Sequence, residues 1–169
     1  DLQSDNGWFD RCCLTDPDNP LTHTLGYVLR GVVEAWLLSG DSRYLEAAVR
    51  TADGLLSAQR ADGALPGRLG PDWSEQAPWS CLTGNVQIAA CWLLLHEEIR
   101  DRGYVDAAIR ANSFVRRTIR YDGPASVRGG VKGSFPVWGN YGRFEYLNWA
   151  AKFAIDAFQL ELDDGTSAC

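Results

Sequence analysis

The residues most able to do chemistry fall outside the periodic apolar stretches, in segments rich in Trp, Pro and Gly. Asp10 and Glu145 stand beside aromatics in two different segments, and two carboxylates on opposite sides of a glycosidic bond serve as acid and base or nucleophile. Trp8, Trp79, Trp138 and Tyr141 supply faces that stack on the apolar side of a pyranose, with Arg143 among them. His23 lies at the start of a helical pattern, where an imidazole is placed to move protons or to point at a substrate. The candidate catalytic set is therefore Asp10, His23 and Glu145, and the candidate substrate-binding set is Trp8, Trp79, Trp138, Tyr141 and Arg143. Plainer roles stay open for the same side chains. Asp near a helix start is a favourable cap, Asp16 and Asp18 around Pro17 suit a turn, and a lone His carries no partner spacing. Asp10, Cys12, Cys13 and His23 lack tetrahedral-site spacing. Arg128-Gly129-Gly130-Val131-Lys132-Gly133-Ser134 lacks the residue order of a phosphate-binding loop. Neither a metal nor a cofactor is expected.

Five helical patterns must position these residues. Leu21, Leu25, Val28, Leu29, Val32, Val33, Trp36 and Leu37 recur at steps of three and four, the stripe of a core-facing helix. That helix ends at Ser39-Gly40, and a second starts at once with Asp41 or Ser42 as its cap. A third runs from near Thr83 to about Glu98 and is apolar all round in its middle, as befits an inner helix. A fourth follows Gly103. A fifth carries Tyr146, Trp149, Ala150, Phe153, Ala154, Ala157 and Phe158, after which Asp163-Asp164-Gly165 reads as a frayed tail. Trp36, Trp92 and Trp149 fall on apolar faces and are assigned to the core.

Tyr44-Leu45-Glu46-Ala47-Ala48-Val49-Arg50 matches Tyr104-Val105-Asp106-Ala107-Ala108-Ile109-Arg110 position by position, so the hairpins are copies. A repeated two-helix unit buries its faces by stacking on its neighbours. The expected fold is all-α: repeated antiparallel helical hairpins forming part of an α/α toroid, with residues 1–169 as one domain of about two and a half hairpins. Short and long connections alternate, which gathers the three long segments on one rim. Each inner helix then points its N-terminus at that rim and favours an anionic ligand there.

Composition narrows the partners. A formal charge of −6 opposes nucleic acid and anionic membrane, and no apolar run approaches the roughly 18 to 20 residues of a membrane span. The five cysteines form no paired zinc spacing and read mostly as reduced thiols. The chain opens without a signal-peptide pattern, which leaves the compartment open with the cytoplasm favoured. The expected partner is a small-molecule or glycan ligand, with a homo-oligomer or the remainder of a parent chain to cover the edge of an incomplete ring.

Two turns carry a family resemblance. Gln3-Ser4-Asp5-Asn6-Gly7-Trp8-Phe9 and Gln59-Arg60-Ala61-Asp62-Gly63-Ala64-Leu65-Pro66-Gly67 resemble the Gln, Gly and aromatic punctuation of the terpenoid cyclase and protein prenyltransferase toroids. The third copy, Arg120-Tyr121-Asp122-Gly123, lacks the Gln. The resemblance implies a ring of about six hairpins, of which this chain is the C-terminal part. The Asp-x-Asp-Asp box of squalene-type cyclases is absent, and Asp10-Arg11-Cys12 fits half of a prenyltransferase zinc site. Related toroids include sugar epimerases, glycosidases and polysaccharide lyases. Three functions follow as expectations: a carbohydrate-active hydrolase, lyase or epimerase acting on an acidic sugar or polysaccharide; an isoprenoid cyclase or prenyltransferase-like protein; and a non-catalytic helical-repeat binding domain.

Overall fold

The computed structural model describes residues 2–13 and 15–167. Its helices are α1 (Thr22–Ser39), α2 (Ser42–Ser57), α3 (Leu82–Ile99), α4 (Arg102–Arg116) and α5 (Asn148–Ser167). Two short strands, β1 (Ser80–Cys81) and β2 (Ser134–Phe135), pair antiparallel with Ser80 opposite Phe135 and Cys81 opposite Ser134.

Local chemistry sets the hairpins. Asp41 and Asp101 cap α2 and α4, each accepting a backbone N–H two residues on. Gly40 and Arg100 end α1 and α3 in the left-handed conformation, their N–H groups returning to Trp36 and His96 carbonyls. These four features turn the chain within two residues at the lower pole, so α1 pairs with α2 and α3 with α4.

The core is continuous through both hairpins and α5. α3 lies at its centre, buried along nearly its whole length as its all-round apolar middle requires. α1 and α5 flank it on either side, with α2 and α4 outside. Trp92 on α3 is fully buried and donates its indole N–H to the Ala52 carbonyl of α2 at 3.1 Å. One difference from the sequence reading is at the end of α5. Asp163, Asp164 and Gly165 continue the helix instead of fraying. The Gln159 amide donates to Asp163 at 2.9 Å, and Asp164 lies 3.8 Å from the His96 ring.

The Gln-Gly turns explain how the repeat joins. The Gln3 side chain donates to the Ala47 carbonyl at 2.8 Å and accepts from Arg50 at 2.8 Å. Gln59 does the same one repeat later, to Ala107 at 2.9 Å and from Arg110 at 2.8 Å. Gly7 and Gly63 hold φ of +85° and +92°, and a Cβ on either would lie 2.3 Å from the carbonyl oxygen of Arg50 or Arg110. Only glycine fits, both for its backbone and for its space. Gly123, the third copy, keeps φ of +91° but would meet only the Arg120 guanidinium at 3.6 Å, because no outer helix lies against it among the described residues.

Candidate functional site

The three long loops meet at one pole. Leu21 bridges Arg68, joining the first loop to the second, and the β1–β2 pairing joins the second to the third. Asn85 of α3 fixes the second loop from beneath. Its carbonyl oxygen accepts the Leu65 N–H at 2.9 Å, and its amide donates to the Ser80 hydroxyl at 2.7 Å and the Cys81 carbonyl at 2.8 Å. α1 and α3 begin here without side-chain caps and without acids in their first turns. Their first-turn N–H groups are taken up inside the loops: those of Thr22 and Leu82 donate to the Gly67 and Gly133 carbonyls, and those of His23, Thr83 and Gly84 face the buried Cys81 sulfur.

His23, in the first turn of α1, is half-buried. Its Nδ1 lies 2.7 Å from Oε1 of Gln87 on α3. An amide oxygen only accepts, so Nδ1 carries the proton and donates, and Nε2 keeps its lone pair. Burial lowers the His23 pKa from its ordinary 6.5, opposed by the Gln87 bond, which raises it. The neutral imidazole is thus the form at neutral pH. Its ring packs between Tyr27 and Tyr141, with centroids 4.6 and 5.0 Å away.

Tyr141 comes from the third loop. Its phenol oxygen accepts the Trp149 indole N–H at 2.9 Å, leaving its own proton to donate elsewhere. Burial, then the nearby Cys81, raise its pKa, so it stays protonated. The Thr83 hydroxyl, fully buried at the start of α3, approaches that phenol without making a full hydrogen bond to any group. Beside this cluster, Tyr27, Gln87 and Phe153 line a cleft of about 160 Å³ between α1, α3 and α5. Arg30 and Lys152 edge it, paired with Glu34 and Asp156 on their own helices.

Of the residues singled out from sequence, the structure brings His23 and Tyr141 together. Trp8 is 1% exposed and packs edge-on against Trp73 at 5.2 Å, so it has no face to offer. Trp79 is also buried, because Gly67 and Gly139 press on its ring. Both belong to the scaffold, which corrects their assignment as binding faces: Trp73 covers Trp8, and Gly67 and Gly139 let the loops close on Trp79. Asp10, Glu145, Trp138 and Arg143 are exposed on the loops. The Arg143 guanidinium lies over Phe144 at 5.4 Å. No contact among the described residues links Asp10 or Glu145 to the His23 cluster. Trp149, assigned to the core from its stripe, is instead 46% exposed and holds Tyr141. Tyr27, Gln87, Thr83, Trp149 and Phe153 were not anticipated at the site. Gln87, a polar residue inside an apolar helix, was the available signal.

Among the described residues, no three His, Cys, Asp or Glu side chains gather as a metal site. Cys12 and Cys13 lie apart in reactivity. Burial raises the Cys12 thiol to about 11. Burial also pushes Cys13 up, but the Thr15 hydroxyl and the backbone N–H groups of Asp16, Thr15 and Leu21 outweigh it and bring it to about 7. Cys81 and Cys91 stand at about 12. Cys13 is 8% exposed and Cys81 and Cys91 are fully buried, so iodoacetamide at pH 7.0 is expected to label Cys13 at least tenfold faster than Cys81 and Cys91 in peptide-resolved mass spectrometry. Equal labelling would contradict the thiolate environment. Cys169 lies outside the described residues.

Comparison with known proteins rests on structure. No family model matches the chain, and no curated protein matches it by sequence. Solved structures do. An unsaturated glucuronyl hydrolase from a Bacillus species aligns with TM-score 0.66 and 19% identity over 86% of this chain and 40% of its own. A cellobiose 2-epimerase from Spirochaeta thermophila aligns with TM-score 0.70 and 18% identity over 94% and 43%. An α-1,6-mannanase of a Salegentibacter species aligns with TM-score 0.65 and 16% identity over 85% and 41%. The fold is that of an α/α toroid. This toroid chain spans less than half the length of those structures, and identities this low carry the fold alone.

Proposed function

We propose that this chain forms part of a carbohydrate-active toroid that moves protons on an acidic sugar or polysaccharide. The carrying observation is the pairing of His23 with Gln87 beside Tyr141: a neutral imidazole with its tautomer fixed, next to a phenol whose proton is free. His23 Nε2 takes a proton from the sugar, and the Tyr141 hydroxyl, held by Trp149, gives one to the developing oxyanion or leaving oxygen. Tyr27 and Phe153 stack on the pyranose.

This chemistry suits epimerisation or elimination. Hydrolysis by two carboxylates would use Asp10 and Glu145, which stand on separate loops. The neighbours in structure are named for work on glucuronyl groups, cellobiose and mannan, and that shared substrate class supports the reading. Kinship with terpenoid cyclases rests on the Gln-Gly turns.

A panel of uronate-bearing and neutral oligosaccharides, followed by Trp fluorescence and by product analysis, tests the proposal. Quenching by the uronate-bearing members that is lost in Tyr27→Ala supports it. Absence of both binding and turnover across the panel overturns it. Binding of a prenyl diphosphate with no glycan binding would favour the isoprenoid reading instead.

A further inference from the structure

The two copies of the repeat differ in one place where their sequences nearly agree. In the second copy, Gln59, Leu65, Trp92, Tyr104, Ala107 and Arg110 form a socket filled by the C-terminal half of α2. Trp92 donates to the Ala52 carbonyl, and the Tyr104 hydroxyl donates to Asp53 at 2.7 Å. Tyr104 and Leu65 are completely buried there. The corresponding residues of the first copy are Gln3, Phe9, Val32, Tyr44, Ala47 and Arg50, and they line an open groove of about 490 Å³. Tyr44, the counterpart of Tyr104, is 43% exposed.

We infer that this groove is a docking site for an α-helix of the same kind as α2. The occupant is a further outer helix of the ring, presenting small residues toward Val32, which stands where the socket has Trp92, and an Asp toward the Tyr44 hydroxyl as Asp53 meets Tyr104. The inference continues an interface already built once in this molecule. The walls are also in place, because Gln3 and Arg50 hold the contacts that Gln59 and Arg110 hold beside the filled socket. A second copy of this chain does not fit. Its α4 is the equivalent of α2, but α5 follows α4 as α3 follows α2, and α5 would then occupy the space of α1. The solved toroids that align are more than twice as long as the aligned part, which leaves chain to supply such a helix.

The repeat register provides the test. A chain in which residues 41–58 are placed directly before Gln3, as α2 stands before Gln59, is compared with one carrying a scrambled helix of the same composition. The α2 extension is expected to raise Tm by about 5 °C or more over the scrambled one and to slow hydrogen exchange across residues 44–50 at least tenfold. Tyr44→Phe in the extended chain should reverse part of the rise while leaving the unextended chain unchanged. Equal melting of the two extended chains overturns the inference. So does a rise indifferent to Tyr44→Phe and without protection at residues 44–50, since the helix would then sit elsewhere. These readouts need no sugar, so their failure leaves the proposed function standing and the reverse also holds.

Discussion

Gly63→Ala is expected to destabilise the protein by about 3 kcal/mol or more, and to do so without touching any side chain of the candidate site. The cost has two sources. The φ of +92° is strained for an L residue, and the new Cβ would lie 2.3 Å from the Arg110 carbonyl, so backbone must move as well; each source costs about 1–3 kcal/mol. Urea denaturation of the variant and of Gly123→Ala separates them. Gly123 shares the positive φ but meets only a flexible guanidinium at 3.6 Å, so its substitution should cost about 1–2 kcal/mol. If the two variants unfold at the same midpoint, the turn does not dock on α4 as described.

The largest effect on activity is expected at His23. His23→Asn should reduce turnover of the sugar found by the panel about 10²–10⁴-fold, with little change in melting because Asn keeps a donor toward Gln87. The sign of the pH dependence follows from burial. His23 acts as a base only when neutral, and its pKa lies below the ordinary 6.5, so the acid limb of kcat/KM must also fall below that value. Gln87→Met removes the bond that raises the pKa, which moves the limb further toward acid. It also lowers kcat, because the imidazole is no longer held with Nε2 free. An acid limb at or above 6.5, or an Asn variant keeping more than a tenth of the activity, would remove His23 as the base.

Much of the architecture is legible in the chain itself. The stripes from Leu21 to Leu37 and from Ile88 to Leu95 located two inner helices, and Asp41 and Gly40 marked the turn between α1 and α2, because these signals are local. The match of Tyr44–Arg50 with Tyr104–Arg110 revealed the repeat, and alternating loop lengths placed the rim. The site was less legible, since its members meet only through tertiary packing. Gln87 reaches His23 across two helices, and Trp149 reaches Tyr141 across a loop. Trp8 and Trp79 show the opposite failure. An indole beside polar loop residues looks like a platform in sequence, yet Trp73 covers the first, and Gly67 and Gly139 cover the second. Their burial depends on residues brought against them by tertiary packing, a relation that composition and periodicity do not report.

The position of Trp79 has a dynamic consequence. One indole gripped by a glycine from the second loop and a glycine from the third acts as a rivet through both, and the β1–β2 pairing lies beside it. Neither loop can swing alone without stripping the rivet from its other plate. With Asn85 also pinning the second loop to α3, the two loops form one stiff rim over the helices below.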